Sequence, residues 1–215
     1  PSNTCRERVA RETDEERDGV ADPGLLEYVT VSSREPNSRS DGSPRIRISD
    51  RAQLQMLLTQ AFSQARAIQI SNRLSGPLPS PNSPLEFYLR SGMTAEEFAK
   101  IETEITTTRE PIIEGRVNVN TASAAVLACI PGIGDDKASE LVNYRLANTD
   151  NVDSVAWVTK VLARAEAIRA GPFLTGQSYQ FSADVAALGP FGRGYQRTRF
   201  VFDLSEGAPK IIYRQ

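Results

Sequence analysis

Polar and apolar positions change rhythm along the chain. Through the middle they recur at helical spacing; near the end they alternate. Residues 1–24 are charge-rich and of mixed sign, which predicts a mobile lead-in. Leu25-Leu26-Glu27-Tyr28-Val29-Thr30-Val31 is the first apolar segment, and 32–44 reads as a surface loop. Arg45-Ile46-Arg47-Ile48 alternates like a strand. Asp50 then caps a predicted helix carrying Leu54, Met56, Leu57, Leu58, Ala61, Phe62, Ala65, Ile68 and Ile70. Pro84 suits a first helical position after Ser83. Thr94-Ala95-Glu96-Glu97 is a capping box for a helix with Phe98, Ile101 and Ile105.

The most ordered pattern begins with Val117-Asn118-Val119-Asn120-Thr121-Ala122-Ser123. Thr121 is the expected helix cap. Its helix turns Ala125, Leu127, Ala128 and Ile130 toward a core. Pro131-Gly132-Ile133-Gly134 stops it, and a second helix begins after the turn, with Ala138, Leu141, Val142 and Leu146. Two short helices around a Gly-x-Gly turn make a helix-hairpin-helix. The amides of such a turn can hold a nucleic-acid phosphate, with Lys137 as the nearest cation. Asp135 and Asp136 come directly after the second glycine, however. They suit the positive end of the helix dipole, by about 0.3–1 kcal/mol each, and oppose a phosphate there. Packing is therefore preferred over phosphate binding as the role of Pro131, Gly132, Ile133, Gly134 and Lys137.

Beyond the hairpin, Asp153 is expected to cap a helix through Val155, Trp157, Val158, Val161, Leu162, Ala165 and Ile168, ended by Gly171-Pro172. Residues 178–188 and 195–204 then alternate, with Phe200, Phe202 and Leu204 inward. Lys210–Arg214 adds a last strand to an antiparallel meander.

An internal repeat joins the two helical parts. Leu25–Pro36 resembles Lys100–Pro111, and Arg45–Ile48 resembles Arg116–Val119. Further on, Ile70, Arg73 and Leu74 meet Val142, Arg145 and Leu146. In the first copy Thr59-Gln60-Ala61-Phe62 stands where the second has its Gly-x-Gly turn. That copy is expected to have a degenerate turn or continuous helix. The predicted class is α+β: a duplicated helical domain of helix-hairpin-helix or SAM-like type with an antiparallel sheet. The division is 1–24 lead-in, 25–99 first helical unit, 100–171 second helical unit with the hairpin, and 172–215 meander.

Composition narrows the chemistry. The 215 residues carry a net charge of −2, unlike the basic balance of a generic nucleic-acid binder. There is no histidine, which removes the commonest general base and metal ligand. Cys5 and Cys129 are too few for a disulfide framework or a zinc site. Cys129 is expected as a small core residue, and a Cys5–Cys129 bridge would need an oxidising compartment. Asp135, Asp136, Asp150 and Asp153 lie close in sequence and could hold calcium, but helix capping accounts better for Asp135 and Asp153. No paired carboxylates or nucleophile–base pair stand out, so no enzyme is expected. Arg193, Arg197, Arg199, Lys210 and Arg214 make the last strands basic, which reads as a solvated face or a protein contact. No apolar run is long enough to span a membrane, and no signal peptide is seen. The chain opens at Pro1 without methionine, as a fragment or ectodomain would.

The order of these signals resembles protein K of the general (type II) secretion pathway, a minor pseudopilin. The segments that carry the resemblance are Leu89–Phe98, Ile105-Thr106-Thr107, Arg116–Ser123, the Leu127–Gly134 hairpin and Gln177–Phe181 opening the meander. The Val117–Ser123 stretch with its hairpin also occurs in competence-type DNA-binding proteins. The resemblance implies a pilin-like sheet carrying a helical insert. It implies a role in assembly at the tip of a periplasmic pseudopilus, with other minor pseudopilins as partners and no nucleic acid. The family's apolar N-terminal helix and prepilin cleavage site are not in this sequence, so anchoring in the inner membrane is implied only for a longer protein. Some members bind calcium; no ligand positions match here, and no cofactor is assigned.

Overall fold

The computed structural model describes residues 30, 33–76, 78–189 and 194–214. The chain divides into units 1–32 and 33–215, and the fold below is that of the second. The expected lead-in and all of the first apolar segment except Thr30 lie outside the described residues. The fold is α+β. Strands β1 (Arg34–Pro36) and β2 (Ile46–Arg47) precede helices α1 (Arg51–Ala61), α2 (Gln64–Leu74), α3 (Pro84–Ser91) and α4 (Ala95–Ala99). A 3-10 turn, Glu102–Glu104, leads into β3 (Ile105–Thr106). Strands β4 (Ile112–Glu114) and β5 (Val117–Asn118) come next, then α5 (Ala124–Ala128) and α6 (Gly134–Ala147). A 3-10 helix, Val155–Lys160, then α7 (Arg164–Ala170), a 3-10 turn Gly171–Phe173 and β6 (Leu174–Thr175) complete the helical part. Strands β7 (Gln180–Leu188), β8 (Tyr195–Asp203) and β9 (Lys210–Arg214) end it.

Short polar side chains set the helix starts. The Asp50 carboxylate accepts from the Gln53 amide, and the Ser83 hydroxyl accepts from the Glu86 amide. Thr94 and Glu97 form the full reciprocal capping box. Three starts differ from expectation. The helix expected to run on to Ile70 breaks at Phe62, whose backbone is extended, and Ser63 caps α2 by accepting from the Arg66 amide. The first copy therefore keeps a hairpin of two helices. Thr121 lies in a turn in which the Asn118 carbonyl accepts the Thr121 and Ala122 amides; the cap of α5 is Ser123. Asp153 is exposed, and Ser154 caps the short 3-10 helix, which stops before α7 starts.

The two helical parts are built alike. β2 pairs in parallel with β3, and β5 pairs in parallel with β6, so each part closes its end onto its start. The Ile48 amide donates to the Thr106 carbonyl at 2.9 Å, and the Val119 amide to the Thr175 carbonyl at 3.0 Å. One constant shift pairs Ile46 with Val117, Ile48 with Val119 and Ser83 with Ser154. The same shift pairs the fully buried Ala67 with Ala138 and Ile70 with Leu141. The sequence pairing of Ile70 with Val142 and Arg73 with Arg145 is thus one residue out of register. The arginine and glutamate of Arg34-Glu35-Pro36 and Arg109-Glu110-Pro111 also differ in setting, because Glu35 is buried and Glu110 is exposed.

The repeats lock together reciprocally. The Glu102 carboxylate accepts the Val155 amide at the start of the second repeat's 3-10 helix. In the opposite sense Gly171 fits against the cap of α3, where a Cβ would come 2.4 Å from the Ser83 hydroxyl. Phe87, Phe98, Leu58, Ile70, Ile101, Leu127, Leu141 and Val158 fill one continuous core across both repeats. Burial of side chains of this size contributes about 1.5–3 kcal/mol each.

The last three strands form an antiparallel sheet in the order β7-β8-β9. Phe181 stands opposite Phe202, Ala183 opposite Phe200 and Val185 opposite Thr198; Phe202 also faces Ile211 across β9. Residues directly opposite share a face, so these side chains make one apolar surface. The expected inward placement of Phe200, Phe202 and Leu204 is met only in part, since all three are half-buried. Phe181 is 51 %, Val185 49 % and Ile211 57 % exposed. The other face mixes polar residues (Gln180, Ser182, Asp184, Asp203) with apolar ones (Leu188, Tyr195, Val201, Tyr213), of which Leu188, Tyr195 and Tyr213 are exposed. There Arg34 at β1 exchanges hydrogen bonds with Gln180 and pairs with the buried Asp203 at 3.3 Å.

Candidate functional site: the helix hairpin

The turn between α5 and α6 splits into a packed half and an open half. Pro131 is exposed and Ile133 is buried in the core. Gly132 has φ +94° and lies against α7: a Cβ there would sit 2.7 Å from the Glu166 carbonyl and 3.0 Å from the Arg169 Cβ. Only glycine meets both conditions. Gly134 has φ +72° but open space around it, and no side chain caps the start of α6. Ala138, with nothing beyond Cβ and fully buried, lets the second helix come close.

The electrostatics of the open half are acidic. Asp135 and Asp136 are exposed in the first turn of α6. Lys137, the nearest cation along the sequence, is taken up by Glu140 at 2.7 Å, and that hydrogen bond raises its pKa. An anion approaching the Gly134 amide meets both aspartates without a free lysine to offset them.

The two asparagines of the Val117–Asn120 stretch are structural fastenings, a role missed by sequence reasoning. The Trp157 indole N–H donates to Asn120 Oδ1 at 2.9 Å. Asn120 Nδ2 donates to the Val152 and Gly176 carbonyls. Trp157 stacks on Tyr144 with ring centres 5.5 Å apart. Asn118 accepts the Asn120 amide and donates to the Ser178 hydroxyl. Arg145 reaches back from α6 to donate to the Val119 carbonyl at 2.8 Å. The strand-to-helix corner is thus tied to five residues: Trp157, Val152, Gly176, Ser178 and Arg145.

Between the repeats lies a second feature that sequence reasoning did not find. Glu35 is buried between Arg45, at 2.6 Å, and Arg116, at 3.3 Å. These arginines occupy equivalent places, just before β2 and β5. Glu102, beside them, has its carboxyl pKa raised by burial. The visible signal is an arginine preceding each alternating strand. Its partner, Glu35, matches Glu110 in the repeat, but Glu110 is exposed, so the match does not point to the buried pairing.

Cys129 is exposed, not a core residue. α5 ends at Ala128, so Cys129 falls on the solvent side of the turn; Ala125 is exposed as well. Cys5, and with it the question of a Cys5–Cys129 bridge, lies outside the described residues. Asp135, Asp136, Asp150 and Asp153 do not converge. Among the described residues no group of three or more Cys, Asp or Glu side chains could hold a metal ion. Of the basic residues in the last sheet, Arg197 pairs with Asp184 and Lys210 with Glu206, and Arg214 lies over the Phe200 ring. Arg193 is outside the described residues.

Residues 114–161 match the family model described as helix-hairpin-helix motif. This stretch carries that motif. The match starts at the end of β4 and takes in the hairpin and the Val155–Lys160 helix, so it covers the part of the second repeat tied by Asn120 and Trp157. No curated protein and no solved structure matches the chain.

Proposed function

We propose that this chain is a structural subunit of a protein-secretion machine, of the minor pseudopilin type, acting by contact with other subunits and not by catalysis. The observation that carries this reading is the apolar face of the last sheet. Phe181, Val185 and Ile211 stand about half exposed on one side of it, while the other side is mixed in character and attached to β1 through Gln180 and Asp203. An apolar surface of this kind, rimmed by polar residues, is suited to a protein partner. The packed half of the hairpin agrees, since Gly132 serves the joint with α7. In this reading the sheet is the pilin-like part, the repeats are its helical insert, and the setting is periplasmic. An inner-membrane anchor would belong to a longer protein: among the described residues no helix is long and apolar enough to cross a membrane. Co-purification with the ectodomains of partner minor pseudopilins tests it. Retention of a partner is the expected result, and folded protein that retains none contradicts the reading.

The alternative is a competence-type DNA-binding module, favoured by the open Gly134 amide and the motif match. An electrophoretic shift with duplex DNA at low salt separates the two. Phosphate contact requires binding that weakens steeply with salt and is lost in Gly134→Pro. With both aspartates exposed at the turn, no shift is expected.

A further inference from the structure

The internal repeat exposes a place where one copy is filled and the other is open. In the second repeat Arg145, on α6, donates to the Val119 carbonyl at 2.8 Å. The equivalent residue in the first repeat is Leu74, and the equivalent carbonyl is that of Ile48. The neighbouring Arg73 does not substitute for Arg145, because its guanidinium lies against Gly92. No donor to the Ile48 carbonyl is found among the described residues. A groove of about 360 Å³ occupies the site, with Ile48, Leu54, Leu74 and Leu78 as apolar walls and Gln55 and Ser71 as polar ones. Leu78 is 65 % exposed at its mouth.

We propose that this groove receives an arginine side chain from a partner protein, seated as Arg145 is seated in the second repeat. The apolar walls match the three-methylene stem, which packs on hydrocarbon while its head stays hydrated. The Ile48 carbonyl takes the guanidinium N–H. The groove lies between the C-terminal end of α2, whose last carbonyls favour a cation, and the first turn of α1, whose amides oppose one, so the two helix ends offset each other. Arg51 is the one charged residue among those lining the groove, and it is exposed on the rim, where water screens it. A lysine would reach the carbonyl with a single compact ammonium and lack the planar fork. This inference is independent of the secretion reading: it concerns the first repeat alone and holds for any partner that presents an arginine.

The test is an amide chemical-shift titration of the full chain with N-acetyl-arginine methylamide, against the citrulline and norleucine analogues. Saturable shifts are expected at Ile48, Ala52, Gln55, Ser71 and Leu78 with the arginine probe. Binding of the norleucine probe should be about ten-fold weaker, for want of the charged hydrogen bond. Leu74→Arg supplies the plug from within and should abolish the shifts, whereas Leu74→Met should keep them. Ala52→Phe, at an exposed wall position, blocks the groove without touching the core and should also abolish them. Equal binding of the arginine and norleucine probes would overturn the proposal. So would shifts that survive Ala52→Phe, or the absence of saturable shifts at the groove.

Discussion

Gly132 and Gly134 share a positive φ and differ in surroundings. Alanine at Gly134 meets only backbone strain, worth about 1–2 kcal/mol. Alanine at Gly132 meets the same strain and also the Glu166 carbonyl, so its cost should exceed that of Gly134→Ala by about 1–3 kcal/mol. Urea unfolding of both variants checks this; equal losses would mean that the turn is not seated on α7. Glu97 is a second residue with a readable consequence. Its carboxylate takes two guanidinium nitrogens of Arg66, at 2.7 and 2.8 Å, and its pKa falls to about 2, chiefly through that hydrogen bonding. A depressed carboxylate stabilises the fold above its unfolded pKa, and that contribution is lost on acidification. Stability should therefore drop as pH falls from about 4.5 to about 2, with Glu97→Gln flattening that drop. Glu102 acts in the opposite sense. Burial raises its pKa, so its charged form opposes folding and acid relieves that cost. The Glu97→Gln comparison in a pH series of melting temperatures isolates the Glu97 part, because Glu102 is the same in both proteins.

The hairpin corner stands on one side chain that sequence patterns present as half of an alternation. Asn120→Ala would unpair the Trp157 indole N–H and the Val152 and Gly176 carbonyls together. An unsatisfied buried group costs about 1–3 kcal/mol, so a loss at the upper end of that range or above is expected from thermal unfolding. The Trp157 fluorescence should shift as well. A silent substitution would remove Asn120 from the frame. The caps at Asp50, Ser83 and Thr94 were legible in the sequence because each depends on two or three neighbouring residues. The break at Ser63 was not, because apolar residues continue at helical spacing across it and mask the local capping signal of Ser63. Cys129 was misplaced for a related reason: an apolar run predicts burial, but the run leaves the helix at Ala128. The pairing of Arg45 and Arg116 on Glu35 was beyond sequence pattern, since it joins three distant segments. The constant shift between repeats needed buried positions, such as Ala67 with Ala138, to fix it.

At the scale of the whole fold, two interlocked repeats carry a sheet that is attached to β1 by the side bearing Gln180 and Asp203 and that, among the described residues, leaves the Phe181–Val185 side half exposed. The α+β class was readable from the order of rhythms, helical first and alternating last. The exposure of the final sheet was not readable, because alternation shows that two faces differ and not whether either is covered. The proposed subunit role rests on that face. Its most direct test is a binding titration between the full chain and a partner minor pseudopilin ectodomain, with Val185→Asp as the comparison. Val185 is half exposed, so the substitution should leave the melting temperature nearly unchanged. A charge on the apolar face should weaken the complex by about ten-fold or more, through desolvation of an unpaired carboxylate. Unaltered affinity in the folded variant, or no complex with the unsubstituted chain, would contradict the account.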